Sequence, residues 1–289
     1  MERDNELLGR WSAALARVVA ALGTEDFLPR LDQAIRALVP FDNSMLFAYR
    51  GNEQPIGVYT DLATQDEVGI IVGDYVIGPY VLDPFFAEVQ GGRISGLAKL
   101  SDIAPDRFYD SEYYKRHYAR TGILDEIGFF MGAPGGVTAV HSITRRQTRE
   151  PFKPEEVAIL GEIAPVVSAL GSNNWGTLYK SFDAKRASDG TDASDTPHPV
   201  ETALNAIGQD VLSDRQSEVI TFILRGHSTE SISLHLNISS GTVKIHRKNA
   251  YNKLGISSQA ELFSLFLDRL RSLVPPVSPI GVSVDPPSV

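Results

Sequence analysis

Residues 212–262 read LSDRQSEVITFILRGHSTESISLHLNISSGTVKIHRKNAYNKLGISSQAEL, and this stretch decides the fold of the C-terminal part of the chain. Short amphipathic helical patterns follow one another with tight polar breaks. Ser213 and Gln216, three apart, form a capping box that opens a helix reaching about Arg225. Val219, Ile220, Ile223 and Leu224 recur at the helical period, and Gly226 supplies the left-handed stop. Ser228 caps a second helix with Ile232 and Leu236 facing inward. Asn237 suits the sharp turn after it, because Asn tolerates positive φ better than any residue but Gly. Ser239 caps a third helix, about Ser240 to Leu254, with Val243, His246, Ala250 and Leu254 on one face. Gly255 ends it, and Ser257 or Ser258 caps a fourth with Leu262, Leu265 and Phe266 on its apolar face.

Charge points to the partner. The 289-residue chain carries a net charge of −9, yet no acid occurs between Ser231 and Ala260. A basic helix on an acidic protein calls for an anionic partner, and double-stranded DNA is the first candidate. Two helices joined by a short turn, the second basic, form a helix-turn-helix, whose second helix fits the major groove. Lys244, Ile245 and Lys248 would face base edges: Lys donates to guanine O6 and N7, and Ile packs on a thymine methyl. Thr242, Arg247, Tyr251 and Lys253, with the capped helix ends at Ser228 and Ser239, are placed for phosphates.

These residues carry a close resemblance to the LuxR-type (GerE-like) four-helix DNA-binding domain. The shared run is Leu-Ser, Gly-x-Ser, Ile-Ser-x-Gly-Thr-Val-Lys-x-His and Lys-Leu-Gly-Ile-Ser-Ser-x-Ala-Glu-Leu. Four positions depart from that pattern: Ser231 where the family usually has Glu, Ser233 for Ala, Asn237 for Gly, and Ala250 for a larger aliphatic. None lies on the expected DNA face.

Composition bounds the remainder. The length predicts two domains, and 43% hydrophobic residues suffice for ordinary cores. With no cysteine there is neither a disulfide framework nor a thiolate metal site, and the six histidines lack metal-ligand spacing. No apolar run approaches the roughly 20 residues that span a bilayer, and no signal peptide opens the chain. A cytoplasmic protein without membrane contact is expected. Residues 1–180 form a sensor and dimerisation domain, 181–204 a flexible polar linker, 205–272 the DNA-binding domain, and 273–289 a Pro-rich disordered tail. A homodimer is expected because two-fold proteins read two-fold sites, with Leu262, Leu265 and Phe266 as one contact between copies.

In the front domain, Leu7–Leu22 and Phe27–Leu38 read as amphipathic helices. Residues 43–50 pair with 55–59 across Gly51-Asn52, residues 128–133 pair with 137–143 around Pro134-Gly135-Gly136, and Pro151–Leu170 is a closing helix. The fold class is α+β: an N-terminal α-β-α sandwich with an antiparallel sheet, plus an all-α four-helix C-terminal domain. This order resembles GAF-like and autoinducer-binding sensor domains. The local matches are Tyr75-(x4)-Tyr80-x-x-Asp83-Pro84 and YARTGILDEIGFF over 118–130.

In the quorum-sensing branch, the resemblance implies that an Asp-Pro of this kind gives its carboxylate to the amide of an acyl-homoserine lactone. A Trp about thirteen residues earlier would bind the lactone carbonyl. Here that position is near Ile70, and the two tryptophans are Trp11 and Trp175. Nine aromatic residues fall between Tyr75 and Tyr118, and aromatic walls with a few polar groups build small-ligand pockets as well as cores. Tyr75, Tyr80, Asp83, Phe86 and Phe129 are the candidate ligand contacts. Asp83 serves equally as a helix cap before Pro84.

Other chemistry is excluded by spacing. The first strand ends in Tyr49-Arg50 without clustered acids, so it is not a phosphoacceptor domain. Gly132–Gly136 lies in a hairpin turn and opens no helix, so it is not a phosphate loop. No nucleophile pairs with a base, so no catalytic residue, metal or cofactor is expected. The reading is a transcriptional regulator binding DNA as a dimer under control of a small-molecule effector, with RNA polymerase as a further partner. The alternative is a ligand-independent DNA-binding factor whose front domain only dimerises or binds protein.

Overall fold

The structure is a computed structural model that describes residues 2–189, 207 and 211–273. Its main elements in chain order are α1 (Glu2–Ala20), α2 (Phe27–Arg36), β1 (Asn43–Arg50), β2 (Ile56–Thr60), α3 (Pro84–Gln90), β3 (Ser95–Lys99), β4 (Ile123–Ala133), β5 (Val137–Arg146), α4 (Pro154–Asn174), α5 (Tyr179–Asp189), α6 (Asp214–Arg225), α7 (Thr229–Leu236), α8 (Ser240–Leu254) and α9 (Gln259–Leu273). Short helical pieces fill residues 65–82 and 100–119.

The sheet has the order β2-β1-β5-β4-β3, antiparallel throughout. Successive side chains on a strand point to opposite faces, and here both faces are buried. Leu46, Ile127, Phe129, Met131, Ala139 and Ile143 meet α1, α2 and α4 in one apolar cluster. Met45, Phe47, Tyr49, Phe130 and Val140 face the other way, toward the short helical pieces. The α-β-α sandwich follows directly, as the alternation predicts. Helix α4 lies so close that a Cβ on Gly171 would meet Met131, and Ser168 Oγ donates to the Phe130 carbonyl at 2.8 Å.

The expected linker begins too early. Residues 181–189 are helical in α5, and Phe182 is buried against Ala48 and Val137. Arg50 donates to Asp183 at 2.7 Å, and Arg186 donates to Glu53 at 2.7 Å. A single aromatic anchor plus ion pairs seats a helix that a polar composition concealed. The rest of that linker, and the Pro-rich tail beyond Leu273, lie outside the described residues.

The C-terminal helices follow their caps. Ser213 Oγ accepts from Gln216 N while Gln216 Oε1 accepts from Ser213 N at 3.0 Å. Gly226 (φ 92°), Asn237 (φ 52°) and Gly255 (φ 68°) end α6, α7 and α8 in the left-handed region. Ser228 and Ser239 accept from Ser231 N and Thr242 N, each at 3.0 Å. Val219, Ile220, Leu224, Ile232, Val243, Ala250, Leu262 and Phe266 form the core, which runs without interruption into the front domain.

Gly171 gives a test in which two effects oppose. Gly171→Ala gains at most about 1 kcal/mol of helix propensity, whereas overpacking a filled core costs about 1–3 kcal/mol. Urea denaturation should therefore show a lower midpoint; a raised one would mean that α4 and Met131 are not in tight contact.

Candidate functional site

The DNA-binding candidates lie on α8. Lys244, Arg247 and Lys248 are exposed, and none makes an ion pair among the described residues. Ile245 is 60% exposed, an unusual position for an aliphatic side chain unless a partner covers it. Thr242 and Ser239 stand at the helix start, their hydroxyls 2.8 Å apart. Tyr251 is half-buried one turn beyond Arg247. Lys253 is used differently: its Nζ donates to the Val211 carbonyl at 2.8 Å and to Gln216 Oε1 at 3.0 Å, tying α8 to the start of α6.

The second site is a cavity of about 40 Å³ under the sheet. Tyr49, Tyr75, Tyr113, Tyr118, Phe47, Phe85 and Ile71 wall it, with Asp83, Glu126, Ser142 and His117 as its polar members. Asp83 does two jobs at once. Its Oδ1 caps α3 by accepting from Phe85 N at 2.7 Å, and its Oδ2 accepts from Tyr113 OH at 3.0 Å. The Tyr49 and Tyr75 hydroxyls are 2.6 Å apart. Burial drives Asp83 up to about 6, against hydrogen bonds from Phe85 N, Tyr75 and Tyr113. Burial, then the charge of Asp83, drives Glu126 up to about 8. His117 goes the other way, to about 4, through burial and then Arg116 and Arg120. Among the described residues no Lys or Arg lines the cavity to neutralise the two acids.

The candidate ligand residues divide. Tyr75 and Asp83 face the cavity. Tyr80 and Phe86 stand behind it, edge to face at 5.1 Å, with Phe86 also 5.6 Å from Tyr49. Phe129 does not belong: strand alternation turns it to the opposite face, among α1, α2 and α4, and Phe130 takes the cavity side. Glu126 and Ser142 were missed, because the adjacent pairs Asp125-Glu126 and His141-Ser142 do not by themselves say which member turns to the cavity. Both nevertheless share the strand parity of Phe130 and Val140.

A seam joins the two sites. Asp106 Oδ1 accepts from the backbone N of Ser228, the cap of α7, at 2.9 Å. Arg107 N donates to the Gly226 carbonyl at 2.9 Å, and a Cβ on Gly226 would lie 2.9 Å from Phe108 Cα. Burial alone would raise the Asp106 carboxyl, but the Ser228 bonds outweigh it and hold it below the usual range. Arg116 stacks over Phe263 at 5.0 Å and donates to Ser264 at 3.3 Å, and Leu270 packs on Gly78. A cleft of about 770 Å³ separates Arg107 and Asp110 from Lys244, Arg247 and Lys248. The face expected to join two copies is thereby corrected: Leu262 and Phe266 are fully buried within the chain, and Leu265 is half-buried.

Residues 210–266 match the family of bacterial regulatory proteins called luxR. An HTH-type transcriptional regulator in the exeN 3′ region of Aeromonas salmonicida is 33% identical over 188 residues, which cover 65% of this chain and 94% of that protein. The chain belongs to the LuxR family of transcriptional regulators. The response regulator TodT of Pseudomonas putida is 43% identical over 51 residues, 18% of this chain and 22% of its own. The crystallised LBD domain of VqsR from Pseudomonas aeruginosa is 25% identical with a TM-score of 0.50, covering 57% of this chain and 96% of that one. This LuxR-family chain thus joins a ligand-binding-like front domain to a helix-turn-helix, and its family is one of regulators, not enzymes. Among the described residues no helix is long and apolar enough to cross a membrane, and no three His or acidic groups gather as a metal site.

The raised acids set the pH dependence of stability. Between the ordinary carboxylate range and about pH 8, Glu126 keeps its proton when folded and loses it when unfolded. The unfolded state then binds fewer protons, so stability falls as pH rises through that window. Glu126→Gln should raise the thermal midpoint at pH 8 and flatten its fall between pH 5 and pH 8, in this chain whose Glu126 titrates near 8. An unchanged slope in differential scanning calorimetry would place the charge elsewhere.

Proposed function

We propose that this regulator binds a two-fold operator as a homodimer and that a small molecule entering the Asp83–Glu126 cavity sets its DNA affinity. The observation that carries DNA recognition is the acid-free face of α8. Lys244, Arg247 and Lys248 remain without ion-pair partners among the described residues, while most cations of the front domain are paired. Unpaired cations on one helix face are what counterion release from DNA requires. Sensing is supported by the buried acids in an aromatic enclosure and by likeness to a domain described as an LBD. Two carboxyls without a cation favour a ligand whose polar end donates hydrogen bonds or carries positive charge. Lys244, Ile245 and Lys248 read bases; Thr242, Arg247, Tyr251, Ser239 and Ser228 hold phosphates. Lys253 supports the domain and adds charge at the far end of α8.

One observation favours the second reading, a front domain that serves assembly alone. The cavity is about 40 Å³, whereas ligand pockets are commonly about 300–1,000 Å³, and its acids already accept from tyrosines. Sensing therefore requires the residue 65–82 and 108–119 pieces to move apart. Thermal-shift screening of fractionated metabolites separates the readings. A ligand at about 100 times its Kd adds about 2.7 kcal/mol, and Glu126→Gln should abolish that gain. A screen without any stabilising fraction would favour assembly alone.

For DNA, Lys244→Ala should cost about 1–3 kcal/mol on a selected operator and relax its preference. Arg247→Ala should weaken binding evenly across sequences and lower the salt slope by about 1. Fluorescence anisotropy over a salt series checks both. Unchanged binding for Lys244→Ala would remove α8 from the groove.

A further inference from the structure

We propose that residues 105–110 of the front domain are an autoinhibitory clamp, in which Asp106 holds the backbone amide of Ser228 in place of a DNA phosphate. The proposal rests on the DNA-binding reading of α7 and α8 and adds how the chain withholds that surface.

Helix N-termini present free N–H groups that bind anions, and DNA phosphates take them in helix-turn-helix complexes. Ser228 sits at such a start, its hydroxyl oxygen accepting from Ser231 N while its O–H bonds the Asp106 carboxylate. Its own N–H is taken by the Asp106 carboxylate at 2.9 Å. An aspartate here offers what a phosphate offers, an anionic oxygen at hydrogen-bond distance, so the two compete for one donor. Arg107 N on the Gly226 carbonyl and the Phe108 backbone against Gly226 fix the segment in register, so the carboxylate does not swing free.

Space excludes DNA as well as chemistry. A helix lying in the major groove has a phosphate wall on either side of it. Arg107 and Asp110 stand where one wall would run, across the cleft from Lys244, Arg247 and Lys248. Asp110 adds a negative charge on that side, paired only with exposed Arg107 at 2.7 Å. The same seam covers part of α9, where Arg116 lies over Phe263 and Gly78 meets Leu270, so that surface is withheld from a second copy together with the DNA edge.

The clamp also touches the cavity. Phe108 packs against Tyr113 and Tyr118 with ring centroids 5.9 and 5.7 Å apart, and Tyr113 donates to Asp83. One layer of rings thus lies between the buried acids and the segment that grips α7. A molecule that displaces Tyr113 from Asp83 moves the ring on which Phe108 rests, and freeing residues 105–110 frees Ser228.

The test uses the full chain and a fluorescent 24-base-pair duplex of random sequence, because competition for a phosphate site is independent of sequence. Asp106→Ala should tighten binding by about 2- to 10-fold, the range spanned by one solvent-exposed hydrogen bond. Asp102→Asn removes one negative charge from the same domain without touching α7, and should change affinity little. Hydrogen exchange at the Ser228 amide should accelerate in Asp106→Ala while the thermal midpoint stays near that of the unaltered chain. Equal tightening by Asp102→Asn would reduce the effect to net charge and overturn the clamp. Unchanged affinity for Asp106→Ala, in a chain that does bind the duplex, would overturn the clamp and leave DNA recognition intact. If no version binds duplex even at low salt, DNA recognition fails and the clamp fails with it.

Discussion

Everything in the front domain depends on the two-residue alternation of β4 and β5, the pair that runs through the sheet's centre. Their register matches Phe130 with Val140 and Gly128 with Ser142. One parity of side chains is mostly apolar and closes against α1, α2 and α4, with His141 paired to Asp32 of α2 and Arg145 to Glu156 of α4. The other parity places Glu126 and Ser142 beside Phe130 and Val140, so the same strands that make a core also carry a carboxyl into it. A slip of one residue would exchange these faces, putting Glu126 among the helices and Ile127 in the cavity. That is why register is so strongly determined here, and why an acid inside an apolar strand can be held without unfolding it.

What could be read beforehand follows from how local each signal is. Caps and stops of α6, α7 and α8 are encoded within three or four residues, as Ser213 with Gln216 and Asn237 with its left-handed turn illustrate. Strands β1, β2, β4 and β5 announced themselves through apolar runs bounded by Gly and Pro. Strand β3 did not: Ser95–Lys99 is a five-residue edge strand with a single buried side chain. The short pieces between 65 and 82 and between 100 and 119 have no period long enough to detect. Helix α5 was hidden because its seat depends on Phe182, Tyr179 and a few ion pairs, against strands far away in sequence. The seam was illegible for the same reason in stronger form, since Asp106 and Ser228 are 122 residues apart.

Charge explains why an acidic protein carries so basic a helix. With a net −9, the chain as a whole repels DNA, which suppresses indiscriminate binding. The proposed source of affinity is α8, where Lys244, Arg247 and Lys248 make no ion pair among the described residues. Many acids of the front domain neutralise Arg or Lys: Glu67 with Arg146, Glu156 with Arg145, Asp125 with Lys99. Asp32 pairs instead with His141, and Asp83 and Glu126 have neither kind of partner among the described residues. Their repulsion and burial are relieved by protons and tyrosine hydroxyls, which are weaker partners than a bound cation or donor group would be.

A seam of this kind can govern DNA binding only if it is weak enough to lose. Its polar part is small among the described residues: the Asp106 carboxylate on the Ser228 amide and hydroxyl, one peptide hydrogen bond, and Arg116 on Ser264. Moving a two-state equilibrium from about 1:99 to 99:1 takes about 5.5 kcal/mol of differential binding, more than one ligand's coupling, commonly about 1–3 kcal/mol, supplies. DNA itself must therefore contribute, by offering phosphates to Ser228, and so must a second copy, by meeting the part of α9 that the seam covers. Reciprocity then requires that DNA raise the affinity for the effector by the same factor. On the proposed reading, control is shared among three weak preferences, and the Asp106–Ser228 contact is where all three meet.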